Sequence, residues 1–229
     1  MTKLIVALDV DSLAEAEKAV DKLGGKVEWF KVGKQLFTAE GPAIVEMLKK
    51  KGFKVFLDLK FHDIPNTVAQ AVKSALSIGA DMVNFHATGG SEMIRTAVEK
   101  NRPNYPNAEL IAVTVLTSSG QSVLDELQVA GTPEDAVLRF AGLAKNAGAD
   151  GVVCSALEIE ALKKAYGSEF KVVVPGIRPK GSSVDDQKRI MTPKQASDLG
   201  ADYIVVGRPI MKAADPVAAA EAVLAELSI

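Results

Sequence analysis

Asp58-Leu59-Lys60-Phe61-His62-Asp63-Ile64-Pro65-Asn66-Thr67 follows directly on the apolar run Phe53-Lys54-Val55-Phe56-Leu57. Three ionisable residues of opposite sign, Asp58, Lys60 and Asp63, fall within six positions. Side chains alternate faces along a strand with a period of two, so Asp58 and Lys60 are expected on one face. Pro65 ends the strand and suits the first turn of a helix, behind which Val68, Ala71, Val72 and Ala75 recur at helical spacing. The unit reads strand, charged tip, helix. A carboxylate and an ammonium side by side at a strand end are costly unless paired, and are commonly kept for chemistry. The alternative is a structural ion pair capping the strand. The choice turns on how the other strands end.

Working outward, short apolar runs alternate with amphipathic, Ala-rich segments. The strands expected are Leu4-Leu8, Trp29-Val32, Lys54-Leu59, Met82-Phe85, Leu110-Val115, Gly151-Cys154, Val172-Val174 and Tyr203-Val206. Helical patterns lie around Leu13-Leu23, Ala43-Lys50, Thr67-Ile78, Ser91-Lys100, Pro133-Ala147, Ala156-Ala165, Pro193-Leu199 and Val217-Leu227. This alternation is the α/β pattern of a (β/α)8 TIM barrel, expected as a single catalytic domain over 1–229. Near-continuous apolar strands fit a parallel sheet covered on both faces. The phrase Gly-Ala-Asp, at 79–81, 148–150 and 200–202, ends a helix with a left-handed glycine and leads into a strand, which marks the bottom of the barrel. An open doubly wound sheet is weakened by the lack of G-x-G-x-x-G after the first strand. Two loops are longer than the rest: Ser118 to Gly131, with a short helix expected over Val123-Leu127, and Gly176 to Thr192, placed like a substrate lid.

With 229 residues, 48% hydrophobic and 24% charged, the composition is that of a globular protein with ample core. A net charge of -2 without a long basic run argues against nucleic acid as a partner. The single cysteine, Cys154, excludes an intramolecular disulfide and reads as a buried strand residue; two histidines, His62 and His86, are few for a metal site. The apolar run Leu4-Leu8 is too short for a signal core or membrane span, so the expected location is cytoplasmic, with no membrane partner.

Active groups in such barrels stand at the C-terminal ends of strands. Those ends carry Asp9, Lys31, Asp58 with Lys60, His86, Thr117, Pro175-Gly176-Ile177-Arg178 and Gly207-Arg208. Convergence of Asp9, Lys31, Asp58 and Lys60 from three consecutive strands favours catalysis over a structural pair. His86 reads as readily as a core or dimer residue as it does as a participant in the chemistry. Gly207 lets the backbone approach an anion and Arg208 can clamp it, with Arg178 and Gln187 in the neighbouring loop; this points to a phosphate rather than a rim salt bridge.

At these residues the chain resembles the orotidine 5'-phosphate decarboxylase family of the bacterial type. The resemblance is carried by Leu-Asp-Val at the first strand, Phe-Lys-Val-Gly at the second and Asp-Leu-Lys-Phe-His-Asp-Ile-Pro-Asn-Thr-Val at the third. It continues in Val-Leu-Thr-Ser (115–118), Pro-Gly-Ile-Arg-Pro (175–179) and Val-Gly-Arg-Pro-Ile (206–210). It implies decarboxylation of orotidine 5'-monophosphate to uridine 5'-monophosphate, the last step of pyrimidine nucleotide synthesis, with neither a metal nor an organic cofactor. By the same resemblance Lys60 is the proton donor, Asp58 the carboxylate beside the substrate carboxylate, and Lys31 and Asp63 complete the charge network. Asp63 comes from the partner subunit of a homodimer. Asp9 and Thr67 contact the ribose, Thr67 from the partner subunit; Thr117 lies by the base or sugar. Gln187, Gly207 and Arg208 hold the phosphate, and Pro175 and Arg178 belong to the closing loop. Two other readings stand beside it: a magnesium-dependent barrel lyase acting on a sugar phosphate, and a silent nucleotide-binding regulator.

Overall fold

The computed structural model describes residues 1–179 and 191–228. Its elements are β1 Lys3–Ala7, α1 Leu13–Leu23, β2 Trp29–Gly33, α2 Lys34–Glu40, α3 Ala43–Lys50, β3 Lys54–Phe61, α4 Pro65–Ser77, β4 Met82–His86, α5 Gly90–Asn101 and β5 Glu109–Val113. They continue with α6 Gln121–Glu126, α7 Pro133–Asn146, β6 Gly151–Val153, α8 Ile159–Tyr166, β7 Lys171–Pro175, α9 Pro193–Asp198, β8 Tyr203–Val206, α10 Arg208–Met211 and α11 Pro216–Leu227. The strands pair in sequence order, all parallel, and β1 closes on β8. The expected TIM barrel is therefore the observed fold.

Local chemistry explains where the helices begin. Ser12 caps α1 by accepting from the Glu15 N–H, and Thr132 and Thr192 form capping boxes at α7 and α9. Pro65, Pro133, Pro193 and Pro216 occupy first-turn positions, where a missing N–H costs nothing. α2 and α10 were not visible in the pattern. They have seven and four residues, their preceding glycines offer no side-chain cap, and each buries one residue, too few to show a period. The helix expected over Val123-Leu127 starts two residues earlier, at Gln121. Cys154 is buried one residue past the end of β6.

Strand parity divides two cores. Outward residues such as Val6, Val32, Leu57 and Val83 pack under the helices. Inward residues, among them Ile5, Phe56, Ile111, Val173 and Val205, fill the barrel. Its lower end is closed by Trp29 edge-on to Tyr203, at 5.4 Å between ring centroids. The Tyr203 hydroxyl donates to Glu109 at 2.7 Å, and Lys171 pairs with the same carboxylate at 2.8 Å.

The Gly-Ala-Asp phrases lie at this lower end, as expected. Their glycines adopt φ of 104°, 90° and 95°, a region open to glycine at little cost. The aspartates do more than the sequence suggested. Asp81 accepts the Val55 N–H at 2.9 Å and pairs with Lys49 at 2.6 Å; Asp150 accepts the Leu110 N–H at 2.7 Å and pairs with Arg102 at 2.6 Å. Asp202 accepts the Val172 N–H at 2.6 Å and pairs with Lys163 at 2.7 Å. Each carboxylate thus clamps the start of the preceding odd-numbered strand. The corresponding position ahead of β2 is Glu28, which is exposed.

Candidate active site

β1, β2 and β3 bring Asp9, Lys31, Asp58 and Lys60 together at the C-terminal end of the barrel. Lys31 Nζ lies 3.3 Å from Asp9 Oδ1 and 3.4 Å from Asp58 Oδ2, and Lys60 Nζ lies 2.5 Å from Asp58 Oδ1. The result is a row of alternating charge: Asp9, Lys31, Asp58, Lys60. Asp58 is 9% exposed. Burial pushes its carboxyl up, but Lys31, Lys60 and a hydrogen bond from Asn84 outweigh burial and hold it below the ordinary carboxylate value. Desolvation is the largest single effect on this carboxyl, and only the combined partners reverse it.

Asp58 and Lys60 do meet, but simple alternation is not how. β3 loses its register against β4 between Leu57 and Phe61, and Lys60 takes φ +54°. A non-glycine residue there is strained by about 1 kcal/mol or more. The side chain of Asn84, buried on β4, accepts the Lys60 N–H at 2.8 Å and donates to Asp58 Oδ1 at 2.7 Å. Asn84 was missed in the sequence because it stands inside an apolar strand; its polarity at an inward position two residues before His86 was the available signal.

Lys31, Asp58 and Lys60 of the charged row border a cavity of about 290 Å³ whose walls include Thr117 and Pro175 and whose floor is Phe56, Val113, Val153, Val173 and Val205. An apolar floor beneath charged walls suits a flat heterocycle carrying anionic groups. Two glycines permit the close packing above: a Cβ at Gly33 would stand 3.0 Å from Lys31 Nζ, and one at Gly207 would stand 3.2 Å from Asp9 Oδ2. A larger, more open cleft lies at the other end of the barrel beside Trp29 and Glu109; none of the expected site residues borders it.

The remaining expected residues are more dispersed. Arg178 is buried just beyond β7, its guanidinium donating to the Ile177 carbonyl at 3.2 Å and its main-chain N–H to Met191 at 3.0 Å. Arg208 opens α10, half-buried, next to Gly207. Gln187 lies outside the described residues. Asp63 and Thr67 are exposed at the turn into α4. Asp63 accepts the N–H of Ile64 at 2.7 Å, and among the described residues no ion pair joins it to Lys60. His86 ends β4 with its ring 5.5 Å from that of His62. Among the described residues, no group of three or more His, Cys, Asp and Glu is arranged to hold a metal ion.

Comparison with known proteins bears on this arrangement. The family model described as orotidine 5'-phosphate decarboxylase / HUMPS family matches residues 2–223. An orotidine 5'-phosphate decarboxylase of Trichlorobacter lovleyi is 53% identical over 228 residues, covering 98% of this chain and 95% of its own. That of Vibrio cholerae is 53% identical over 227 residues, covering 99% and 96%. The crystal structure of orotidine 5'-phosphate decarboxylase from Lactobacillus acidophilus superposes with a TM-score of 0.88 at 41% identity, covering 100% of both chains. With a charged row of this kind at the strand ends, and relatives matched from end to end, the chain belongs to the orotidine 5'-phosphate decarboxylase / HUMPS family.

Proposed function

We propose that the cavity at the C-terminal end of the barrel is where this enzyme, a carboxy-lyase, converts orotidine 5'-monophosphate to uridine 5'-monophosphate and carbon dioxide. The observation that carries the assignment of the site is the Lys31–Asp58–Lys60 row over an apolar floor. Breaking the ring-carbon to carboxylate bond leaves an electron pair in the plane of the ring, on the carbon that lost carbon dioxide. In this reading the Lys60 ammonium stabilises that pair and then donates its proton to it, forming the new C–H bond; solvent restores the proton to Lys60. Opposite charges at ~4 Å interact by about 4 kcal/mol at an effective dielectric of 20, and a row fixed before substrate arrives need not reorganise during the reaction. Asp58, facing the departing carboxylate, keeps the Lys60 side chain aimed.

In this reading Asp9 and Thr117 hold the ribose and base, and Pro175 and Arg178 stand at the start of the closing loop. Gly207 and Arg208, together with Gln187, take the phosphate. The mechanism uses this chain's own charges, with no metal or organic cofactor. The chain functions as one catalytic domain and pairs as a homodimer in which the partner's Asp63 and Thr67 complete each site. Support comes from the exposure of both residues beside Ile64, itself 68% exposed. A buried, lone cysteine fits a reducing compartment, and a cytoplasmic location is part of the same proposal. No helix among the described residues is long and apolar enough to cross a membrane.

The test is spectrophotometric. Purified protein should consume orotidine monophosphate at an unchanged rate in excess chelator. Loss of activity with chelator, restored by magnesium and accompanied by turnover of a sugar phosphate, would assign the chain to the other branch of its family.

A further inference from the structure

We propose that Asn84 is a positioning residue for the decarboxylation step, fixing the Lys60 ammonium through the Lys60 main chain and the Asp58 carboxylate. The inference rests on the reading of the C-terminal cavity given above and deepens it.

Asn84 is 0% exposed, so it touches no bound nucleotide. A buried amide must place its donors and its acceptor, and both ends of this one are committed to β3. The partners also fix which end is which. The Lys60 N–H can only donate and the ionised Asp58 carboxylate can only accept, so the oxygen faces Lys60 and the nitrogen faces Asp58, as observed.

The need for Asn84 lies in the register. β3 and β4 pair Leu57 with Val83, and next Phe61 with Phe85. Four steps along β3 are thus matched by two along β4. In the gap, the Lys60 N–H is met by a side chain rather than by a main-chain carbonyl. The left-handed Lys60 backbone persists because its surroundings over-determine it, and the Asn84 oxygen accepts that N–H. The Asn84 nitrogen simultaneously holds Asp58, whose same oxygen receives Lys60 Nζ. One amide therefore sets the root of the lysine and the anchor of its tip.

Asn84→Leu keeps the number of side-chain heavy atoms and their branching and removes both bonds. An error of about 1 Å in a reacting group can cost ~10²-fold, so kcat should fall about that far. KM should stay within about threefold, because Asn84 touches no ligand and truly uniform binding is unaffected. Asn84→Asp adds a readout that a purely structural role would not move. When protonated, the introduced carboxyl offers one acceptor and one donor, as the amide does. When ionised, it opposes Asp58 at contact distance, and two such carboxylates do not both ionise freely. Facing the position are Asp58 and Lys60 from β3, Lys31 beyond them on β2, and His86 on β4 itself; β5 presents the apolar Ile111 and Val113. The kcat of Asn84→Asp relative to the wild type should therefore rise as pH falls from about 9 to 5, and the added carboxyl should titrate above the ordinary carboxylate value near 4.

The experiment measures kcat and KM of wild type, Asn84→Leu and Asn84→Asp across this range, together with amide hydrogen exchange at Lys60 in the same samples. The proposal expects the kcat loss, the acid recovery and exchange at Lys60 at least about tenfold faster in Asn84→Leu. It is overturned by a kcat within about threefold of wild type, by a loss confined to KM, by a relative kcat of Asn84→Asp that is flat with pH, or by unchanged exchange. Should Asn84→Leu not fold, the pH profile of Asn84→Asp carries the test alone: acid recovery of its relative kcat supports the proposal and a flat profile overturns it. A wild-type chain inert toward orotidine monophosphate would sink the decarboxylase reading, and exchange at Lys60 would still decide whether Asn84 holds that backbone.

Discussion

Lys60 Nζ lies 2.5 Å from Asp58 Oδ1 although the strand carrying both residues breaks register between Leu57 and Phe61. The pair is thus held against the local tendency of the chain. Replacing the lysine separates its charge from its backbone. Lys60→Ala and Lys60→Gly both lack the ammonium and should both lose more than the ~10²–10⁴-fold typical of general acid–base catalysis alone. They should differ in stability. Glycine accepts φ +54° where alanine does not, so Lys60→Gly should be the more stable of the two by about 1 kcal/mol. Equal urea midpoints would mean that the backbone at residue 60 relaxes once the side chain is gone.

His86 should make stability depend on pH in the mildly acid range. Burial, followed by His62, Lys34 and Lys60, pushes its pKa below the ordinary 6.5, and Asp58 opposes them. The unfolded chain then binds more protons than the folded one between the two values. Stability from this group is complete above about 6.5 and falls as pH drops below it toward the folded pKa. His86→Gln removes the titration, so the decline in urea midpoint from pH 7 to 5 should be shallower than in the wild type. Parallel profiles would show that His86 titrates alike in both states.

Asp81 tests the lower end of the barrel. Asp81→Ala leaves the Val55 N–H without its carboxylate and releases Lys49 and Lys54. An unsatisfied main-chain donor costs about 1–3 kcal/mol, which chemical denaturation can resolve. With the charged row at the opposite end, kcat and KM of the folded fraction should not change. A catalytic defect at full folding would reveal coupling between the two ends.

The proposed sharing of sites is open to complementation. Lys60→Ala and Asp63→Ala homodimers should each be nearly inactive. After mixing and subunit exchange, each heterodimer has one site with both changes and one with neither. Random exchange of equal amounts should restore about a quarter of wild-type activity per total site. If exchange is demonstrated and activity remains at the level of the separate variants, Asp63 acts within its own chain.

Much of this architecture was legible because it depends on patterns that survive tertiary context. Apolar runs such as Val172-Val174 can be little else than buried strands, and Asp9, Lys31 and Asp58 were placed by one rule about barrel strand ends. What escaped notice depends on geometry that letters do not carry. Nothing in the name of a lysine announces a left-handed backbone, and nothing in Met82-Val83-Asn84-Phe85 says that the amide is aimed at β3. α2 was invisible because its seven residues bury only Leu36, leaving no repeat to count. The aspartates of the repeated phrases were recognised as punctuation, but their bonds to Val55, Leu110 and Val172 depend on strands distant in sequence.

Those aspartates divide the ring unevenly. Three quarters of the barrel are latched by a carboxylate at the base, and the quarter made of β1 and β2 relies on main-chain pairing, packing and the neutral hydroxyl of Thr2, which donates to the Ala201 carbonyl at 2.6 Å. Breathing of the native state should accordingly be graded around the circle, with the two amino-terminal strands opening at the lowest free energy. Lys31 rides on that freer quarter, whereas Asp58 and Lys60 ride on a latched one. The charged row therefore spans a joint between a stiff arc and a compliant one. When an anionic ligand enters, Lys31 is the member with room to adjust, while Lys60 stays where the fold has fixed it.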